Sequence, residues 1–355
     1  MPKLSCRICG FEAFDLVEHI ETEHGLESYI EAYNPADEEL IHPSVISEDE
    51  TVKEVEVKVV GDAVEVHGVK LPVNPEPGDF VPEAIAAYHF PKFCEDIAAD
   101  ILEDRRMMLV GHTGTGKTSC IYQLAARTKN SVLRVNLNGQ TTIGDFVGLW
   151  TVRSGDMKWV DGVLPQAMRK GYWLILDEID FAESAILSVL NAVLERDGKL
   201  TLKENDGEII TPHPNFRVFA TGNTVGCMSE YRGLYQGTIP MNDAFLDRWQ
   251  VYKVDYLKPE DESKVLRGYI PKLTEAVSIK IVAVANAIRK AFEEEAIQSP
   301  FSTRRLIDWT EKMVRFKDPM RAAESTIFSK VNREDAEVIK GIIVRMMDPN
   351  REGRK

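Results

Sequence analysis

The segment GHTGTGKT, Gly111 to Thr118, constrains this chain more than any other stretch. It satisfies G-x-x-x-x-G-K-[ST] at every fixed position, and its surroundings fit as well. An apolar run, Met107 to Val110, precedes it, and a helix-forming segment, Thr118 to Arg127, follows. A strand, a glycine-rich loop and a helix start in that order make a phosphate cradle. Gly111, Gly114 and Gly116 let backbone N–H groups face an anion, and the new helix adds its positive end. His112, Thr113 and Thr115 complete the loop. In such a loop Lys117 reaches the β- and γ-phosphates and the Thr118 hydroxyl ligates Mg²⁺. ATP and Mg²⁺ are therefore the expected ligands.

A second element supports the first. YWLILDEID, Tyr172 to Asp180, reads as a buried strand ending in carboxylates, sixty residues after the P-loop. Asp177 falls where a strand tip would present it to Mg²⁺ held by Thr118. Glu178 falls where it would polarise an attacking water. Carboxylates suit both tasks, as hard oxygen ligand and as general base.

Three further positions carry alternatives. FRVFATGNT, Phe216 to Thr224, is another short apolar strand. Its Asn223 would hold the attacking water near the γ-phosphate, or it is an ordinary Gly-Asn turn at a strand end. In FLDRW, Arg248 would cap a short helix, pair with Asp247, or reach a neighbouring subunit's nucleotide as an arginine finger. In SPFSTRRLIDW, Ser302 is a plausible N-cap, which puts Arg304 and Arg305 in the first turn, where the helix dipole disfavours cations. A γ-phosphate would compensate; two solvated arginines are the plainer reading.

Composition limits the wider possibilities. The 355 residues are 44% hydrophobic and 28% charged, enough for two or three globular domains with ample core. No apolar run reaches membrane-spanning length, and MPKLSCRICG is no signal peptide, so a cytoplasmic protein without membrane contact is expected. Five cysteines, an odd number, do not suggest a disulfide framework, and Cys94, Cys120 and Cys227 read as buried thiols. The net charge of −14 is uneven: residues 1–104 hold 25 Asp/Glu against 6 Lys/Arg, and the rest holds 32 against 37. An acidic front end repels nucleic acid.

Four divisions are expected. Residues 1–31 carry Cys6, Cys9, His19 and His24 as C-x₂-C-x₉-H-x₄-H, a ligand set suited to a closed tetrahedral Zn²⁺ site. Residues 32–81 combine an acidic linker with a small β-hairpin, Val52 to Leu71, around a Gly61-Asp62 turn, and end in a proline-rich connector. Residues 82–256 open with a helix, Pro82 to Glu103, and then alternate strand and helix as a mainly parallel α/β sheet with helices on both faces. Residues 257–355 are helical throughout, with Val277, Ile281, Val284, Ile288 and Phe292 on one apolar stripe. Within the α/β part, Leu149 to Val160 and Lys199 to Thr211 read as inserted hairpins. They would grip a substrate, pack subunits, or serve as inert surface.

The chain resembles the AAA+ ATPases, and within them the MoxR-like and chelatase branch with its CobS-type subunits of aerobic cobaltochelatase. GHTGTGKT, RVNLN (Arg134–Asn138), DFVGLW (Asp145–Trp150), DGVLPQAM (Asp161–Met168), LDEID, VLNAVLERDGKLTL (Val189–Leu202), PHPNFRVFATGNTVG (Pro212–Gly226), GLYQGT (Gly233–Thr238) and DRW (Asp247–Trp249) carry the likeness. It implies a P-loop core with a C-terminal helical lid, and a homo-oligomeric, six-membered ring with ATP at subunit interfaces. Asn223 then matches the sensor-1 position, Arg248 the arginine finger, and Arg304 the sensor-2 arginine. The resemblance further implies a von Willebrand A-domain partner and a separate large chelatase subunit that inserts the metal, leaving this chain as motor. A remodelling ATPase working on a protein complex through an A-domain partner is a second reading.

The Cys/His segment departs from the CobS pattern and resembles a MucR-type finger, a DNA-binding class. Residues 1–31 nevertheless hold only Lys3 and Arg7 against seven carboxylates. DNA contact is therefore not expected, since it needs cations; a protein-docking module is the better reading. A nucleic-acid-associated ATPase recruited by the finger stands as the third functional class.

Overall fold

The computed structural model describes residues 62–86, 88–224 and 237–347, together with the backbone of 4–5, 12–13 and 58–60. Cys6, Cys9, His19, His24, the acidic stretch 34–51 and Cys227 lie outside the described residues, as do 225–226 of PHPNFRVFATGNTVG and 233–236 of GLYQGT. Strands β1 (Leu4–Ser5) and β2 (Glu12–Ala13) pair antiparallel. The chain divides into two units, the first spanning Glu54–Tyr256 and the second containing everything from Leu257 onward.

The first unit begins with three antiparallel strands, β3 (Lys58–Val60), β4 (Ala63–Val66) and β5 (Val69–Pro72). The hairpin expected around Gly61-Asp62 is thus extended by a second turn at His67-Gly68. Val64, Val66 and Leu71 are buried with Ile97, Ala98 and Ile101 of helix α1 (Cys94–Leu102). This sheet belongs to the α/β unit, so the boundary expected at residue 82 falls inside it. The connector that follows is also tied down: Asn74 N–H donates to Thr128 O (2.8 Å) and Val132 N–H to Phe80 O (2.8 Å).

Helix α1 is shorter than expected. It starts at Cys94 and not at Pro82 because Pro91 supplies no N–H and keeps the residue before it out of the helical region. The non-helical segment is pinned instead. Gln123 donates to Glu83 O (3.1 Å) and accepts from Ile85 N–H (2.9 Å), and Arg127 donates to Ile85 O (2.7 Å).

The core then alternates: β6 (Met107–Val110), α2 (Lys117–Arg127), β7 (Val132–Asn136), α3 (Ile143–Phe146), β8 (Gly148–Arg153), β9 (Asp156–Asp161), α4 (Val163–Lys170), β10 (Trp173–Asp177), α5 (Ser184–Leu194), β11 (Leu200–Leu202), β12 (Glu208–Ile210), β13 (Arg217–Gly222), α6 (Asp243–Leu246) and β14 (Gln250–Lys253). Five of these strands form one parallel sheet in the order β14-β6-β13-β10-β7. The strands are apolar on both faces because both faces are covered. Met107, Leu109, Trp173, Ile175 and Phe219 point into the core shared with α1 and α2. Met108, Val110, Leu174, Leu176, Val218 and Ala220 point into the core shared with α4 and α5. Cys94 and Cys120 are buried free thiols, and burial pushes the Cys94 thiol up. The two inserted hairpins are β8–β9 and β11–β12.

The second unit is helical: α7 (Pro259–Tyr269), α8 (Glu275–Glu293), α9 (Thr303–Phe316), α10 (Pro319–Thr326) and α11 (Arg333–Met347). Its core gathers Ile281, Val284, Ile288 and Phe292 of α8 with Leu306, Trp309, Ile339 and Ile343. Ser302 caps α9, accepting from Arg305 N–H (3.1 Å). Inside the unit, Arg289 donates to both oxygens of Glu262 (2.6 and 2.7 Å), which is fully buried and also accepts from Thr303 Oγ1 (2.6 Å). Among the described residues, no helix is long and apolar enough to cross a membrane.

Candidate active site

The candidate site forms where β6, β10 and β13 end, at the C-terminal edge of the parallel sheet. Open α/β sheets bind ligands at this edge. Strand β6 delivers the P-loop. Gly111 is pressed between strands: its N–H donates to Gly222 O (3.2 Å), and a Cβ there would meet Val254 O at 2.0 Å. Gly116 takes φ 89° at the N-cap of α2, the left-handed region that glycine enters without a steric cost. Thr115 Oγ1 donates to His112 O (3.0 Å), and the Tyr256 hydroxyl donates to Thr113 O (3.2 Å). The His112 ring stacks on Tyr256, with ring planes 5° apart.

Lys117 is buried and curls back over this loop, donating to Gly111 O (2.6 Å) and His112 O (2.8 Å). Asn223 Oδ1 lies 3.5 Å from its Nζ. Burial lowers the Lys117 ammonium to about 8, against the opposing pull of Asp177 and Asp180. A cation held this way, short of solvent and resting on carbonyl oxygens, is poised for an anion that would take their place.

Asp177, the last residue of β10, is the meeting point of the site. Its Oδ1 accepts from Thr118 Oγ1 (3.3 Å) and from Thr221 Oγ1, and its Oδ2 accepts from Arg134 Nε (2.8 Å) and Nη2. The hydroxyl–carboxylate pair of Thr118 and Asp177 is the oxygen donor set that Mg²⁺ takes beside nucleotide phosphates. With the glycine cradle and the buried Lys117, these residues fit a Mg²⁺-nucleotide. Glu178 follows at φ 57°, with an exposed side chain. Non-glycine residues held in that region carry strain and cluster at functional sites.

The structure therefore brings Lys117, Thr118, Asp177 and Asn223 together, with Glu178 beside them. Arg248 lies elsewhere. It follows α6 and donates to Ala244 O in that helix, and its ion pair goes to Glu195 (2.8 Å from Nε, 2.7 Å from Nη2), not to Asp247. Arg304 is the second residue of α9, in the helical unit, and is exposed. Sequence reasoning gave no role to Arg134, Thr221, Asp180 or Tyr256. Arg134 and Thr221 are ordinary strand residues until strand pairing sets them beside Asp177, so no local signal could have marked them; Asp180 lies in the acidic LDEID run, but its contact with Asn223 and Thr224 needs β13 beside β10.

Residues 106–236 match the family described as AAA domain (dynein-related subfamily), and residues 262–346 match the CbbQ/NirQ/NorQ C-terminal family. The aerobic cobaltochelatase subunit CobS of a Sinorhizobium species is 34% identical over 281 residues, which are 75% of this chain and 84% of that one. Midasin of Dictyostelium discoideum is 36% identical over 167 residues, 46% of this chain but 3% of midasin. The von Willebrand factor A domain-containing protein 8 of Mus musculus is 24% identical over 262 residues, 69% of this chain and 13% of that protein.

Proposed function

This chain belongs to the AAA ATPases of the dynein-related subfamily, distantly related to CobS, and from that membership we propose that it is the ATP-hydrolysing motor of an oligomeric ring. The observation that carries the proposal is the cluster of Lys117, Thr118, Asp177 and Asn223 at one edge of the sheet, with Glu178 next to it. The P-loop amides and Lys117 bind the phosphates. Thr118 and Asp177 would hold Mg²⁺, which would supply neutralisation of phosphate charge. Glu178 takes the proton of the attacking water, and Asn223 orients that water. Arg248 reaches the neighbouring subunit's γ-phosphate, exchanging Glu195 for it, and Arg304 keeps the sensor-2 role that the resemblance implies.

The likeness to CobS supports a chelatase motor, in which a large subunit binds the tetrapyrrole. The likeness to the von Willebrand factor A domain-containing protein supports the second reading, a remodelling motor that acts through an A-domain partner. The two hairpins are the elements we assign to the partner or substrate. They are tied together: Trp150 Nε1 donates to Glu204 O (2.8 Å), and Arg169 pairs with both Asp161 (2.9 Å) and Glu208 (2.7 Å). They also expose apolar side chains, with Val152 at 66%, Met157 at 62% and Ile209 at 63%. The Cys6, Cys9, His19 and His24 set would hold one Zn²⁺ in a module that docks protein, its acidity arguing against DNA.

The reading is tested on the purified chain. Mg²⁺-dependent ATP hydrolysis is expected, with Lys117→Ala reducing it by about 10²-fold or more, as loss of a buried cation on a developing anion does. Affinity capture with Glu178→Gln, which should hold ATP unhydrolysed, separates the two machines. Recovery of a tetrapyrrole-binding subunit supports the chelatase; recovery of an A-domain protein without one supports remodelling. Absence of hydrolysis by the unmutated chain with ATP and Mg²⁺ rejects the motor.

A further inference from the structure

Asp180 stands three residues beyond Asp177, and its side chain is fully buried, at 0% exposure. One of its oxygens, Oδ2, accepts from three donors at the end of β13: Asn223 N–H (2.9 Å), Thr224 N–H (3.0 Å) and Thr224 Oγ1 (3.1 Å). Its backbone oxygen accepts from Ile239 N–H (2.6 Å). The other carboxylate oxygen, Oδ1, is buried with no hydrogen-bond partner among the described residues. It lies 3.3 Å from where a Cβ on Gly222 would sit. A larger residue at 222 would crowd the carboxylate.

Burying a carboxylate is costly unless its bonds are made, and charge-assisted bonds from backbone N–H groups are the strong kind. Here two come from successive amides, one of them Asn223's own. On its other side Asn223 offers Oδ1 toward Lys117. Asn223 is thus gripped from behind by Asp180 and faces the P-loop in front. We propose that Asp180 is the positioning residue that fixes Asn223, so that its carboxamide meets the γ-phosphate and the attacking water. The inference rests on the reading of Asn223 as the water-orienting group.

A carboxylate suits this task better than a neutral acceptor. Its charge strengthens each of the three bonds, and no solvent reaches it to compete. The 3₁₀ turn Ile179–Phe181 places it, directly after the strained Glu178, so the base and the water-holder are set from one short segment. A displacement of about 1 Å in a group that orients a reactant is enough to cost about 10²-fold in rate.

The test uses the full chain with Asp180→Ala, Asn223→Ala and the double variant. Asp180→Leu, which keeps the volume and removes the acceptors, replaces Asp180→Ala if the smaller side chain prevents folding. Expected are a fall in kcat of about 10²-fold for Asp180→Ala, unchanged affinity for a fluorescent ATP analogue, and no further loss of kcat in the double variant, since one interaction is removed twice. Asp180→Asn, which retains one acceptor oxygen but not the charge, should recover part of the rate and fall between Asp180→Ala and the parent. In the nucleotide-free protein, the Asn223 and Thr224 amides should exchange hydrogen about tenfold faster or more in Asp180→Ala, because their protection comes from this carboxylate. If Asn223→Ala is slow while folded Asp180→Ala or Asp180→Leu keeps the parent kcat, the inference is overturned. Additive losses in the double variant overturn it too. A parent kcat in Asn223→Ala would instead remove the role of Asn223 on which the inference rests.

Discussion

At the scale of single residues, the site is built from groups whose surroundings change their chemistry. Lys117 is the clearest case. Burial holds its ammonium near 8, so the empty site loses that charge as pH rises through about 8. Phosphate binding favours the charged form and must draw the proton back. Nucleotide affinity should therefore be level below pH 8 and weaken above it, by about tenfold per pH unit. Titration of a fluorescent ATP analogue between pH 6.5 and 9.5, at about these values, reads this directly; a level affinity across the range would contradict it. Gly111 depends on geometry instead. Gly111→Ala drives a methyl into the Val254 carbonyl, so the variant should bind nucleotide poorly and unfold at lower temperature, as differential scanning fluorimetry would show. Residues 111 to 118 were legible in the sequence because the motif is local. Asp180, Thr221 and Arg134 were not, because nothing within a few residues of each reveals which strand end will face it.

Elements show the same division. Strands β6, β10 and β13 were readable as apolar runs, α8 by its apolar stripe and α9 by its Ser302 cap. Helix α1 was overestimated because Pro91 outweighed the helical pattern around it. Helix α10 was missed individually, although Asp318 before Pro319 is a start signal; Asp318 accepts from Met320 and Arg321 N–H (2.8 and 3.0 Å). Within the helical unit the buried pair of Arg289 and Glu262 links α7 to α8. Glu262→Ala leaves the guanidinium buried without its carboxylate and should cost about 3–5 kcal/mol. Replacing both by apolar residues of similar size should cost far less. Denaturant unfolding of the two variants measures the contrast, and equal losses would show that the pair itself, not the stranded charge, supplies the stability.

On the scale of the whole molecule, catalysis is proposed to need more than one copy. Arg248 lies away from its own P-loop, paired with Glu195, and would supply the charge that a neighbour's γ-phosphate lacks. Arg248→Ala should leave nucleotide binding near the parent level and suppress hydrolysis by about 10³-fold, the usual contribution of a finger supplied in trans. Mixed rings of Arg248→Ala and Lys117→Ala subunits should regain part of the rate, because each supplies what the other lacks. Rings proven mixed by mass photometry and still inactive at every ratio would argue for catalysis within one subunit. By itself the sequence determined the phosphate loop, the acid pair at a strand end, the α/β alternation and the helical character of the last hundred residues. Each of these is written in residues close together along the chain, as a spacing of glycines, an apolar run or a 3.6-residue stripe. Only the tertiary structure decided that the first β-sheet shares the core of the α/β unit, that Arg248 pairs with Glu195, and that Asp180 grips the amides of Asn223 and Thr224. The Asp180–Asn223 and Arg248–Glu195 pairings join residues 43 and 53 positions apart. The order in which strands and helices come together, which no local pattern encodes, brings such residues into contact, as it sets the first β-sheet against α1.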